Sequence, residues 1–144
     1  MGLKQIDHGT PQYNQMVQLR NQMLRQPLGL SFTEEELAGE TSDILIGAFD
    51  DDEMLGCCVL TPMDNSTVRL RQMAVLGSLQ GKGIGASILA FAENLARDKG
   101  YNRIIMHARD TAMGFYEKLG FRITSDEFRE VNLPHHIMEK SLIA

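Results

Sequence analysis

Hydrophobic positions along the chain recur at two spacings, and the places where one gives way to the other mark out the elements. Leu3 to His8 reads as a short strand. Pro11 suits the first turn of a helix, and Met16, Leu19, Arg20, Met23 and Leu24 form a stripe at helical spacing that Pro27 and Gly29 end. Thr33-Glu34-Glu35-Glu36 has the form of a capping box, a hydroxyl at the N-cap with a glutamate three residues on, and opens a short second helix. Asp43–Phe49 and Met54–Leu60 are apolar and partly β-branched, with Asp50-Asp51-Asp52 between them, which is the pattern of a β-hairpin. After a turn at Pro62, Asp64 and Asn65 comes a third strand, Thr67–Leu76. Its alternation puts Val68, Leu70, Gln72 and Ala74 on one face and Arg69, Arg71, Met73 and Val75 on the other.

The period then changes. Ile84, Ile88, Phe91 and Leu95 predict an amphipathic helix from about Gly83 to Lys99, closed by Gly100. Arg103–Ala108 returns to strand. Thr111–Leu119 predicts a short helix capped by Asp110 and ended by Gly120. Strands around Phe121–Thr124 with Phe128–Val131, and at His136–Leu142, complete the chain. A run of antiparallel strands, then one crossover helix into a strand that can pair in parallel, describes a mixed α/β (α+β) fold. Its centre is a mostly antiparallel mixed sheet flanked by helices. No repeat, low-complexity tract or linker divides the sequence, so residues 1–144 are expected to form one domain.

Composition narrows the function classes. Apolar residues make up 43%, a globular rather than disordered content. Net charge is −5, with acidic groups at Glu34-Glu35-Glu36, Asp50-Asp51-Asp52-Glu53 and Asp126-Glu127, which argues against nucleic acid as a partner. An acidic surface suits a cationic amine and serves solubility equally well. No stretch approaches the roughly 18 uninterrupted apolar residues of a membrane span, and Met1 to His8 lacks a signal-peptide core, so a cytoplasmic location away from membranes is expected. The two cysteines, Cys57 and Cys58, are adjacent on a strand and so face opposite ways, as buried thiols rather than a bridge. No Cys/His spacing suggests a metal site.

Chemistry concentrates in Gln80-Gly81-Lys82-Gly83-Ile84-Gly85-Ala86, between the third hairpin strand and the longest helix. Glycines let backbone N–H groups approach a ligand, and the first helical turn adds unpaired donors and the positive end of the dipole. Together these make a phosphate or pyrophosphate site, to which Lys82 adds a charge. A glycine-rich turn that merely opens a helix looks the same. The spacing also fits a G-x-G-x-x-A dinucleotide fingerprint, but the loop follows antiparallel hairpins, and no acidic residue stands about 20 positions on.

With that loop, Arg71-Gln72-Met73-Ala74-Val75 followed by Gln80-x-x-Gly83-x-Gly85 resembles the acetyl-CoA motif of the GNAT acetyltransferases. Phe115-Tyr116-Glu117-Lys118-Leu119-Gly120-Phe121 resembles that family's second signature, and the likeness spans more than half the chain. Met106-His107-Ala108 and Phe128-x-Glu130-x-x-Leu133-Pro134-His135 resemble the ElaA- and YjcF-like branch. The resemblance implies a GNAT-like acyl-CoA N-acyltransferase fold, with acetyl-CoA as cosubstrate and a small-molecule or peptide amine as acceptor. It also implies that backbone groups of Met73, Ala74 and Val75 pair with the pantetheine arm, and that amides of Gln80, Gly81, Lys82, Gly83, Ile84, Gly85 and Ala86 hold the pyrophosphate. Tyr116 would protonate the departing thiolate, a phenol having an ordinary pKa near 10.

Direct transfer needs a neutral amine, so a base or water chain is wanted. Many relatives place a glutamate on the strand before the loop, where this chain has Arg69, Arg71 and Gln72. His107 is the substitute chosen here, since imidazole titrates in the useful range; a hydrogen-bonded core histidine is the alternative. His135 and His136 point opposite ways if extended, so at most one faces substrate. A non-catalytic CoA-binding module would carry the same pyrophosphate loop, and Tyr116 favours the enzyme. Homodimers are common in such folds, but no self-complementary patch is legible.

Overall fold

The central strands are apolar at nearly every position because both of their faces are covered. In the computed structural model, which describes residues 1–143, the strands are β1 (Gly2–Ile6), β2 (Ile44–Asp50), β3 (Glu53–Pro62), β4 (Thr67–Val75), β5 (Arg103–Arg109), β6 (Arg122–Ile123), β7 (Phe128–Glu130) and β8 (Leu133–Ser141). They form one sheet in the order β1-β2-β3-β4-β5-β8-β6, with β7 also on β8. Neighbours are antiparallel except β4 and β5, which the crossover helix α3 (Ile84–Asp98) joins in parallel. Ile88, Leu89 and Ala92 of α3 cover Ile46, Cys58, Leu60, Val68 and Leu70 on one face. On the other face, Tyr13, Met16 and Leu19 of α1 (Pro11–Arg20) cover Leu45, Cys57 and Val59. Cys57 and Cys58 thus lie on opposite faces as free buried thiols, and burial pushes Cys57 up to about 12. No helix of the described residues is long and apolar enough to cross a membrane.

Local signals hold where the chain's own neighbours decide the structure. The capping box forms: Thr33 Oγ1 accepts from the Glu36 amide at 3.1 Å, and Glu36 Oε1 accepts from the Thr33 amide at 3.3 Å, opening α2 (Glu34–Ala38). Gly100 follows α3 in the left-handed region at φ 91°, as a C-terminal glycine should. The first helix, in contrast, loosens before it ends. After Arg20 it widens into a π turn over Asn21–Arg25 and then tightens into a 3₁₀ turn over Gln26–Leu28.

Three expectations are corrected. The alternation of β4 breaks, because Val59 pairs with Arg71 while Cys57 pairs with Ala74, leaving Gln72 and Met73 opposite the single residue Cys58. This bulge, with Gln72 at φ 56°, shifts the faces: Val68 and Leu70 are followed by Met73 and Val75 against α3, and Ala74 turns to α1. The chain ends in three strands rather than two, since the segments near 121–124 and 128–131 are separate strands and each pairs with β8. Finally, Asp110 caps no helix. A 3₁₀ turn over Asp110–Ala112 precedes α4 (Met113–Lys118), and the Asp110 carboxylate instead meets His136 Nδ1 at 2.8 Å.

Candidate active site

The bulge has a consequence for the sheet. β4 pairs with β5 only from Thr67↔Arg103 to Leu70↔Met106. Beyond that point β4 stays on β3 as far as Val75↔Gly56, and β5 stays on β8 as far as Arg109↔His135. The extra residue and the added twist of a bulge turn the end of β4 away from β5, so the two halves of the sheet part like a V. A cavity of about 480 Å³ lies in the opening, walled by Met73, His107, Tyr116, Glu130 and His135, with Leu24 and Leu28 from the loosened end of the first helix. The edge of Met73, Ala74 and Val75 that faces this opening has no strand partner, since Ala74 and Val75 pair with β3 alone and Met73 lies in the bulge.

Beyond the end of β4 lies the glycine loop. Gly81 and Gly83 have φ of 81° and 84°, and Gly83 is the N-cap of α3 with no side chain capping it. Among the described residues the amides of Gly81 to Ala86 have no acceptor, and the Lys82 side chain is exposed. A row of free N–H donors at the positive end of a helix, with a lysine beside it, fits a diphosphate. Gln80 Nε2 donates to the Val75 carbonyl at 3.2 Å and ties the loop to the strand. Ile84 sends its side chain into the core, so only its backbone is on offer. None of Gln80 to Ala86 lines the cavity itself. The link between them is α4: a Cβ on Gly85 would lie 3.3 Å from the ring of Phe115, the neighbour of Tyr116.

Tyr116 is 7% exposed, its ring edge-on to Phe115 at 5.0 Å and to Phe121 at 5.9 Å. Burial, with the neighbouring Cys58 thiol, pushes its phenol well above the ordinary 10, so it holds its proton. No side chain accepts from its hydroxyl among the described residues, and Tyr116 lines the cavity.

His107, half-buried opposite, has a contested nitrogen. Its Nδ1 lies 3.0 Å from Arg69 Nη2 and 3.1 Å from Glu130 Oε1. One nitrogen cannot accept from the arginine and donate to the carboxylate at once. Donation by Arg69 puts the imidazole proton on Nε2; donation to Glu130 leaves the Nε2 lone pair free. Glu130 arrives there through the β7–β8 hairpin, whose two loop residues, Val131 and Asn132, both have positive φ (46° and 63°). That is the geometry of a type I′ turn. Asparagine adopts it readily, whereas β-branched Val131 is strained by it.

His135, 3% exposed, donates from Nδ1 to the Leu133 carbonyl at 2.8 Å and holds Nε2 3.7 Å from Glu130 Oε2. His136 turns to Asp110. The two histidines do point opposite ways, and only His135 lines the cavity. The structure therefore brings together Met73, His107 and Tyr116 and adds Glu130, to which the sequence reading gave no role beyond a shared pattern. It also brings in Arg69 and Arg71, which the sequence reading placed only on the strand where relatives carry a glutamate, and Arg109, just beyond the strand expected over Arg103–Ala108.

Known proteins resemble this chain in sequence and in fold. The family model described as acetyltransferase (GNAT) domain matches residues 13–142. The uncharacterized N-acetyltransferase YjcF of Bacillus subtilis is 31% identical over 107 residues, 74% of each chain. The uncharacterized protein YyaT of the same organism is 34% identical over 76 residues, 53% of this chain and 51% of that one. The chain spans about half the length of most of the curated relatives it matches. Among solved structures, an aminoglycoside 6′-N-acetyltransferase complexed with coenzyme A superposes with a TM-score of 0.84 at 18% identity, covering 100% of this chain and 98% of that one. Escherichia coli ElaA gives 0.83 at 16% identity over 97% and 99%. At such identities the structures share the fold. With a parted sheet, an open amide row and a family model running through both, the chain belongs to the acetyltransferase (GNAT) domain family, whose members move an acetyl group from acetyl-CoA.

Proposed function

We propose that this protein acetylates a primary amine of a small molecule or peptide, the amine attacking acetyl-CoA directly. The observation that carries this reading is the opening between β4 and β5, with a proton donor and a proton acceptor on its walls and free amides beyond its end. Bound acetyl-CoA supplies the acetyl group as a thioester. Gly81 to Ala86 would hold its diphosphate through backbone amides, the Gln80 amide being turned to the Gly77 carbonyl at 3.4 Å, and the free edge of Met73 to Val75 would align the arm that follows.

The acceptor must lose a proton. His107 takes it on Nε2 in the tautomer whose Nδ1–H donates to Glu130, and the carboxylate then faces the charge that develops on the ring. Arg69 in that state turns to Glu130 Oε1, 3.8 Å from its Nη2. His107, backed by Glu130, thus stands in for the glutamate that β4 lacks. Tyr116 lines the cavity with its phenol protonated and gives that proton to the departing thiolate as the C–S bond breaks, against the burial that holds it.

Calorimetric titration with acetyl-CoA tests the premise. Micromolar binding is expected, lost in Gly83→Glu; because any side chain at that left-handed φ is strained, Lys82→Glu is the second variant, placing the same charge without strain. Amine-dependent release of CoA thiol should follow, and should fall in Tyr116→Phe. Binding without release across a broad amine panel would leave a CoA-binding module instead, and no binding by folded protein would sink the reading.

A further inference from the structure

The walls of the cavity carry four arginines against a single carboxylate. Arg69 and Arg71 reach it from β4, Arg109 from β5 and Arg25 from the turn after α1, while Glu130 is the one carboxylate among its lining residues. The chain as a whole carries −5, so composition does not account for a cationic pocket.

The partners of these arginines differ. Arg25 is satisfied, with Glu36 at 2.9 Å and its guanidinium 4.0 Å over the Phe32 ring. Arg71 reaches Thr61 Oγ1 at 3.3 Å and Asp43 only at 3.7 Å. Arg69 competes for His107 Nδ1, lies 3.8 Å from Glu130, and has a buried Nε with no partner. Burial and the charge of Arg71 both push the Arg69 guanidinium below its ordinary value, a sign that the two cations crowd each other. Arg109 has no carboxylate within ion-pair distance among the described residues. Strand alternation sets Arg109 on the same face of β5 as His107. Three guanidiniums thus line the same cavity as the base, with one carboxylate among the lining residues.

We propose that the acetyl acceptor is a small amine that also bears an oxyanion, a carboxylate or phosphate, held by Arg69, Arg71 and Arg109 while its amine meets His107 and Glu130. This rests on the acetyl-transfer reading above. Guanidinium forks match planar or tetrahedral oxyanions in geometry as well as charge. A polycationic amine would have to seat its second ammonium among like charges. The free amides offered to the cosubstrate's diphosphate do not line this cavity, so the arginines are left for the acceptor.

Matched amines test it: an α-amino acid against its carboxamide, and phosphoethanolamine against ethanolamine. In at least one pair the anionic member should show a kcat/KM roughly 10- to 100-fold higher, as charge-assisted hydrogen bonds imply. Arg109→Gln, which has no ion-pair partner to lose, and Arg71→Gln should each erase most of that preference while acetyl-CoA affinity by calorimetry stays the same. Binding provides a second readout: the N-acetylated acid should bind the CoA-loaded protein more tightly than its amide, by the same order. The pair that responds identifies carboxylate or phosphate. Equal or better turnover of neutral or dicationic amines, or a preference that survives both arginine variants, overturns this inference alone. Acetyl-CoA binding with no amine acetylated overturns the acetyl-transfer reading and this one with it.

Discussion

Arg20 with Glu40, under α1, and Arg69 with Glu130, in the cavity, are both arginine–glutamate pairs joined by a third ring-bearing residue. In the first, Arg20 Nη1 and Nη2 donate to the two carboxylate oxygens at 2.8 and 2.7 Å, and Tyr13 adds its hydroxyl at 2.7 Å. The side chains are 0% and 3% exposed. In the second, the ion pair stretches to 3.8 Å, His107 stands between its members, and the side chains are 26% and 41% exposed. The sealed cluster has one hydrogen-bonding arrangement and holds α1 to the chain around Glu40. The open one has two, which differ by where a proton sits. A bidentate pair shut away from solvent fixes a structure even with Arg20 Nε left unpartnered, and contested partners beside a cavity leave a proton free to move.

Substitutions should separate the two. Glu40→Gln strands the buried Arg20 charge and should cost about 3–5 kcal/mol, read from denaturant unfolding, with acetyl-CoA affinity of the folded fraction unchanged. A smaller loss would mean the pair is less sealed than its exposure indicates. His107→Gln should show the reverse: a kcat lower by about 100-fold, with the unfolding midpoint nearly unmoved. If stability falls and kcat does not, His107 is a packing residue. Glu130→Gln should lower kcat by about 10-fold and leave the KM for acetyl-CoA alone, with partial rescue by Glu130→Asp. A KM effect without a kcat effect would make Glu130 a binding group only.

The gentlest test uses acid. Burial pushes the Glu40 carboxyl up, but the Arg20 guanidinium and Tyr13 hydroxyl outweigh it and hold the group below its ordinary 4.5. The stability this carboxylate contributes is therefore present above the unfolded value and lost as pH falls through the lower folded one. Thermal unfolding followed below pH 4.5 should drop more steeply for the wild type than for Glu40→Gln.

How much of this was legible depends on the range over which each feature is decided. The capping box at Thr33 and Glu36 and the stop at Gly100 are settled by neighbours in sequence, and both were read correctly. So was the opposition of Cys57 and Cys58. The bulge at Gln72 was not, because Val68, Leu70, Gln72 and Ala74 alternate regularly on paper, and only pairing with β3 reveals the extra residue. Asp110 is a reasonable helix cap by type, but its carboxylate finds His136 from another strand. Glu130 reaches His107 across 23 positions of sequence by way of a turn that contains a valine, a residue that no turn rule would place there. The pieces of the site were visible, but their meeting depended on tertiary structure.

The parting of β4 from β5 leaves main-chain groups open in the middle of a sheet rather than at its rim. On the proposed reading, a guest laid along that edge finishes the ladder, and occupancy becomes part of folding. By mass action the native state then gains free energy as acetyl-CoA rises above its dissociation constant. Amide protons along Met73 to Val75 and the loop after it would exchange with solvent more slowly as it does so. The chain's persistence would follow the supply of its own cosubstrate, with no dedicated regulatory part.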